Sequence, residues 1–158
     1  MYRHLQRIGL SISRQPLGKT TPVCVMNAGH PLSQLDVISV EDLKKTKLVL
    51  YDPVNVDATL TQFQWLLAEG RKPSDLHFCD TTESMLLLTA SGFGVSILPD
   101  TYELPFNLNL KQIPLADQVP FSFGLYYKSH QGKPYLKDFI SYMRNMSREN
   151  ENKINPDL

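Results

Sequence analysis

Apolar residues fall along this chain in two spacings, short unbroken runs and helical stripes. Pro22–Met26 (Pro-Val-Cys-Val-Met) is apolar throughout and rich in β-branched residues, which predicts a buried strand. Asn27-Ala28-Gly29-His30-Pro31 then reads as a loop by composition. Lys47–Tyr51, closed by Asp52-Pro53, is a second strand, Leu76–Cys79 a third and Val95–Pro99 a fourth. Helical patterns lie between them. Ser39 suits an N-cap, and Glu41 and Asp42 follow in the first turn, where the helix dipole favours acids. Asp57–Glu69 is a longer helix closed by Gly70, with Leu60, Phe63 and Leu67 on one face and Trp65 nearly opposite. Asp80-Thr81-Thr82-Glu83 has the form of a capping box, and Ser84–Ala90 is apolar nearly all round, which predicts a buried helix. Four strand-helix alternations predict an α/β sheet of parallel type.

The ends of the chain are patterned less clearly. Ile8–Ser13 alternates as a weak strand, and Gln15-Pro16-Leu17-Gly18 reads as a turn. Leu110–Pro114 and Phe121–Lys128 are two further strands, the second alternating Phe121, Phe123, Leu125 and Tyr127. Leu136, Phe139, Ile140 and Met143 form the stripe of a last helix starting after Gly132-Lys133-Pro134. Arg148–Leu158 is polar and patternless, so residues 149–158 are expected to be a disordered tail.

Composition narrows the functional classes. Sixteen basic and sixteen acidic residues give a formal net charge of zero, whereas a nucleic-acid binder carries a basic excess against phosphate. The densest basic run, Lys44-Lys45-Thr46-Lys47, reads as a solvated helix end. Cys24 and Cys79 each sit inside an apolar strand, too few and too far apart for a zinc site or a disulfide framework. Buried reduced thiols fit better, and with no signal peptide or membrane-length apolar run they point to a soluble, cytoplasmic protein.

Three segments in order resemble the effector-binding domain of LysR-type transcription regulators. The first is Val23–Leu32, ending His30-Pro31-Leu32, with the helix start at Ile38–Leu43. The second is Glu83–Pro99, similar to the family's buried helix, Gly-aromatic-Gly turn (Gly92-Phe93-Gly94) and strand closing on proline. The third is Gln112–Leu115, Gly124–Lys128 and the Phe139–Arg144 helix. The resemblance implies an α/β fold like type II periplasmic binding proteins, with one complete lobe (21–113) and an incomplete one (1–20 and 114–148). It also implies a small-molecule effector held between lobes, a homodimer, and DNA contacted only through a helix-turn-helix domain that this chain lacks. No cofactor, metal or membrane partner is implied. A solute-binding protein of the same fold, or a remnant that binds nothing, remains open.

Thr81 and Thr82 open a helix, where backbone N–H groups and the dipole favour an anion, and they match the family's pocket-lining turn; plain capping is the competing role. Tyr51 and Asp52 end a strand, and ligands of open α/β sheets bind beyond the carboxyl ends of strands. Pro99 closes another. These five are the candidate effector contacts, for a small and anionic metabolite. His30 is expected to hold its loop. Catalysis is not expected. Thr89-Ala90-Ser91-Gly92-Phe93-Gly94 fails the spacing of a nucleophile elbow or phosphate loop, and His4, His30, His77 and His130 lack metal-ligand spacing.

Overall fold

The computed structural model describes residues 12–52, 58–116, 120–129 and 133–154, with side chains except at 58–60 and 148–154. The chain divides into two compact units, Thr21–Val119 and Tyr2–Thr20 with Pro120–Leu158. Sequence alone drew the second boundary at 113. In chain order the elements are Ser13–Thr20 (β1), Pro22–Asn27 (β2), Val40–Leu43 (α1), Leu48–Tyr51 (β3) and Ala58–Ala68 (α2). There follow Leu76–Cys79 (β4), Thr82–Ala90 (α3), Val95–Pro99 (β5), Leu110–Pro114 (β6), Phe121–Tyr127 (β7) and Pro134–Ile154 (α4).

The larger unit is built on one five-stranded sheet, in the order β4-β3-β5-β2-β6. β3 runs parallel to β4 and β5, but β2 is antiparallel to both β5 and β6. The expected parallel-type sheet is therefore mixed. Alternation along each strand sorts the core into two layers. Cys24, Met26, Leu48, Leu50, Val95, Ile97 and Ile113 meet Leu43 and Leu67 on one face. Val23, Val25, Val49 and Leu98 meet Met85 and Leu86 of α3 on the other. Both thiols are buried and unpaired, and burial pushes Cys24 up to about 12.

Local chemistry fixes the joints. Ser39 caps α1 as expected, and Asp42 completes a capping box by accepting from the Ser39 N–H at 3.1 Å. Those hydrogen bonds hold the Asp42 carboxyl below its ordinary range. Gly70 ends α2 at φ 72°, and Arg71 just beyond it reaches back. Its Nε donates to Leu67 O at 2.6 Å, one Nη to Thr46 O at 2.6 Å, and the other Nη to Leu43 O. His30 holds its loop as expected, with Nδ1 accepting from the Leu32 N–H at 3.2 Å and Nε2 lying 3.1 Å from Thr46 Oγ1. Two expectations for α3 need correction. Its N-cap is Thr81, not Asp80, so the Asp80–Glu83 capping box does not form. Nor is the helix buried all round: Leu87 faces solvent, whereas Met85, Leu86 and Thr89 are buried and Leu88 packs against the same core layer.

The smaller unit pairs β1 with β7 as an antiparallel ribbon beside α4. The turn expected at Gln15–Gly18 lies inside β1 instead. The register slips between Pro16 and Gly18, a bulge that accommodates a proline unable to donate to a ladder. Gly124 sits opposite Pro16, where a Cβ would strike Gln15 O. The weak strand expected at Ile8–Ser13 falls outside the described residues except at its end. Of the tail expected over 149–158, α4 continues through Ile154, and residues 155–158 lie outside the described residues. Extending a formed helix fixes one residue per hydrogen bond, and Arg, Glu and Lys are good helix formers.

Gly92 and Gly94 build the turn into β5 by different means. Gly92 adopts φ 80° with open space around it, whereas a Cβ on Gly94 would stand 2.5 Å from Lys47 O. Gly92→Ala should therefore cost about 1 kcal/mol, the left-handed penalty alone. Gly94→Ala should cost about 3 kcal/mol, because backbone must move. Urea midpoints at unchanged slope will measure both, and equal losses would refute the distinction.

Candidate functional site

The parallel strands β3, β4 and β5 end on one edge of the sheet, and the five candidate residues all belong to that edge. Tyr51 is the last residue of β3 and Asp52 follows it, its N–H donating to Cys79 O at the end of β4 at 2.7 Å. Thr81 and Thr82 open α3 directly after β4. Pro99 closes β5 and pairs with Pro22, while the Asp100 N–H donates to Thr21 O at 2.9 Å.

Of the five, the structure joins Tyr51 and Thr82 directly. The phenol oxygen and Thr82 Oγ1 form a short hydrogen bond. Register explains it. Tyr51 lies beside Cys79 in the parallel pair, and three residues later the chain has turned over the strand end. Thr81 is engaged differently. Its Oγ1 accepts from the Ser84 N–H at 3.2 Å and lies 3.0 Å from Ser84 Oγ, so its visible role is capping. Pro99 meets neither threonine in any hydrogen bond, having no N–H to give. Its carbonyl accepts from the Tyr102 N–H at 3.0 Å.

Tyr102 was not among the sequence candidates. It packs against the core layer that also holds Tyr51 and Cys79. Burial raises the Tyr51 pKa above its ordinary value, the Thr82 hydrogen bond lowers it, and Tyr102 and Glu83 raise it. No periodic signal marks Tyr102, because it follows β5 in irregular chain.

Charge is polarised across this unit. Asp52, Asp80, Glu83 and Asp100 follow the carboxyl ends of the strands. Lys44, Lys45, Lys47, Arg71, Lys72 and Lys111 lie toward the amino ends of β3, β4 and β5, where Glu41, Asp42, Glu69 and Asp75 accompany them. The amino terminus of α3 offers N–H groups to a ligand acid, while Asp80 and Glu83 oppose one. Among the described residues no group of three His, Cys, Asp or Glu could hold a metal ion. No described helix is long and apolar enough to cross a membrane.

Residues 4–148 match the family described as LysR substrate binding domain. No curated protein matches the chain in sequence. Among solved structures it is similar to HinK, a LysR family transcriptional regulator from Pseudomonas aeruginosa, with TM-score 0.70 and 23% identity. That likeness covers 87% of this chain and 48% of HinK, so the chain spans about half of that protein's length. The effector binding domain of QuiR, solved with shikimate, is similar at TM-score 0.63 and 21% identity, over 85% of this chain and 66% of that one. The reduced OxyR regulatory domain from Pseudomonas aeruginosa is similar at TM-score 0.63 and 18% identity, over 92% and 77%. These likenesses show a common fold.

The Tyr51–Thr82 bond is testable by titration. Thr82→Val removes the hydrogen bond that lowers the Tyr51 pKa, so the phenol should ionise at still higher pH, read by ultraviolet difference absorbance against a Tyr51→Phe blank. A raised folded pKa contributes stability that is full below the unfolded value near 10 and is lost as pH rises through the folded one. Tyr51→Phe should flatten that alkaline loss. An unchanged titration in Thr82→Val would show that the bond is absent in solution.

Proposed function

Because the chain belongs to the LysR substrate binding domain family, we propose that it is the effector-sensing part of a transcription regulator, responding to a small anionic metabolite in the cytoplasm. The observation that carries this reading is the convergence of Tyr51, Asp52, Thr81, Thr82 and Pro99 at the carboxyl ends of parallel strands. That is where open α/β sheets place ligands. Support from outside the chain comes from the QuiR domain, solved with shikimate. DNA would be read by a helix-turn-helix module elsewhere in the regulator, and the sensor would transmit effector binding by shifting the balance between two arrangements.

The site as it stands is satisfied internally, since Tyr51 and Thr82 bond each other and Thr81 caps α3. An effector would exchange the Tyr51–Thr82 bond for its own. A ligand that binds the folded state raises the melting temperature by mass action, so a thermal-shift screen of hydroxylated and aromatic carboxylates tests the reading. With a hit in hand, Thr82→Val should weaken binding several-fold. Glu83→Gln should strengthen it about fivefold at low salt, by removing a like charge. Unchanged affinity in both variants would place the ligand elsewhere, and a screen without hits would remove the sensing role.

We also propose a homodimer formed through α2. Trp65 is 61% exposed on the side of that helix away from Phe63 and the buried Leu67, beside the exposed Leu66. Exposed large aromatics of this kind anchor interfaces. Trp65→Ala should raise the dimer dissociation constant about tenfold or more. Sedimentation across micromolar concentrations reads it, and a monomer throughout contradicts the pairing.

A further inference from the structure

His30 makes two contacts that one protonation state of its ring can keep together. Pro31 opens a single 3-10 turn, Pro31–Gln34, and has no N–H, so the first backbone donor of that turn in need of a partner is Leu32. The Leu32 N–H donates to His30 Nδ1 at 3.2 Å. Nδ1 must therefore carry a lone pair, which puts the hydrogen of the neutral ring on Nε2. Nε2 lies 3.1 Å from Thr46 Oγ1 and donates to it. A shorter cap such as serine would satisfy Leu32 but has no second nitrogen to reach Thr46. His30 thus ties the loop after β2 to the turn between α1 and β3. The rest of the loop is held separately. Ser33, wholly buried, donates from Oγ to Ala28 O at 2.7 Å, and Lys111 Nζ donates to Ser33 O at 2.6 Å. Leu32 packs against the core layer that contains Leu43.

We propose that His30 is a proton-operated latch: a proton taken up from solvent at Nδ1 consumes the lone pair that holds the Leu32 N–H, and the loop over residues 28–35 loosens from the α1–β3 turn. The imidazolium has two N–H donors and no acceptor, so it meets the Leu32 N–H donor to donor. Either the ring turns away from Thr46 or the Leu32 amide moves. The surroundings favour the neutral ring. Lys45 and Lys47 flank Thr46, Arg71 donates to the Thr46 carbonyl, and Lys111 reaches the loop. Of the acids nearby in the chain, Glu41 is paired with Lys44 at 2.8 Å, Asp42 accepts from the Ser39 hydroxyl at 2.6 Å, and Asp36 follows the 3-10 turn. Among the described residues no acid forms an ion pair with the ring. Burial lowers the His30 pKa from its ordinary 6.5. A base depressed in this way adds stability that is full above 6.5 and is lost as pH falls through the folded value. By pH 5 the open loop gains up to about 30-fold in population, the limit set by an open-state pKa of 6.5.

Imidazole and amide measurements on the full chain test the latch. At pH 8 nitrogen-15 spectra should show His30 as the Nε2–H tautomer, and its titration midpoint should fall below 6.5. Between pH 7.5 and 5 the Leu32 amide should lose protection severalfold after correction for intrinsic exchange, while Val25 in the sheet keeps its own. His30→Asn retains an acceptor for the Leu32 N–H and does not titrate, so Leu32 protection in that variant should stay level over the same range. Three results would each overturn the latch. They are an Nδ1–H tautomer at pH 8, level Leu32 protection in the wild type, and an equal loss in His30→Asn.

Discussion

Strands β2, β3 and β5 are covered on both faces, and this double burial governs the rest of the larger unit. A strand with cores above and below must be apolar at successive positions, as Val23–Met26 and Leu48–Leu50 are, and its backbone must find every partner within the sheet. Helices must then lie on both sides, α3 on one and α2 on the other. Polar groups are pushed to the strand ends. Within β5, Ser96 is buried where Thr89 Oγ1 bridges it at 3.1 Å and Met85 O at 2.8 Å. Ligand chemistry in such a unit has little room except at the edges, and the carboxyl edge is where hydroxyls, carboxylates and helix N–H groups collect.

Much of this was legible in the sequence, for a specific reason. Continuous apolar runs bounded by turn residues are the direct signature of double burial, so β2 to β6 could be read to within a residue or two. The resemblance to LysR effector domains, carried by His30-Pro31-Leu32 and Glu83–Pro99, agrees with the family match. What escaped was information that lies between segments. The antiparallel placement of β2 depends on how its neighbours return, which no local pattern encodes. The strand through Gln15–Gly18 was hidden because proline and glycine usually punctuate turns, and here they serve a bulge whose partner, Gly124, lies far along the chain. Leu87 is exposed although the run around it is apolar, because one helix face suffices for a sheet. For the site, strand ends and the α3 start were readable, but Tyr51 meeting Thr82 required the β3–β4 register, and Tyr102 carried no signal at all.

The two units differ in how they reach stability. The larger one has a five-stranded sheet with an apolar layer on each face. In the smaller one, among the described side chains of α4, Ile140 is buried while Tyr135, Phe139 and Tyr142 are exposed. Small units of this kind commonly gain stability from association, because they bury a smaller fraction of their surface alone.

Arg71 has a kinetic meaning beyond its hydrogen bonds. One planar guanidinium holds the carbonyls of Leu43, Thr46 and Leu67, which belong to the end of α1, the turn after it and the last turn of α2. Opening any one of these segments gives up a hydrogen bond from the same guanidinium that holds the other two. Slow amide exchange at all three should therefore report a single opening event. The exposed Trp65 of α2 would then keep its place for as long as that fork ties the last turn of its helix to the end of α1.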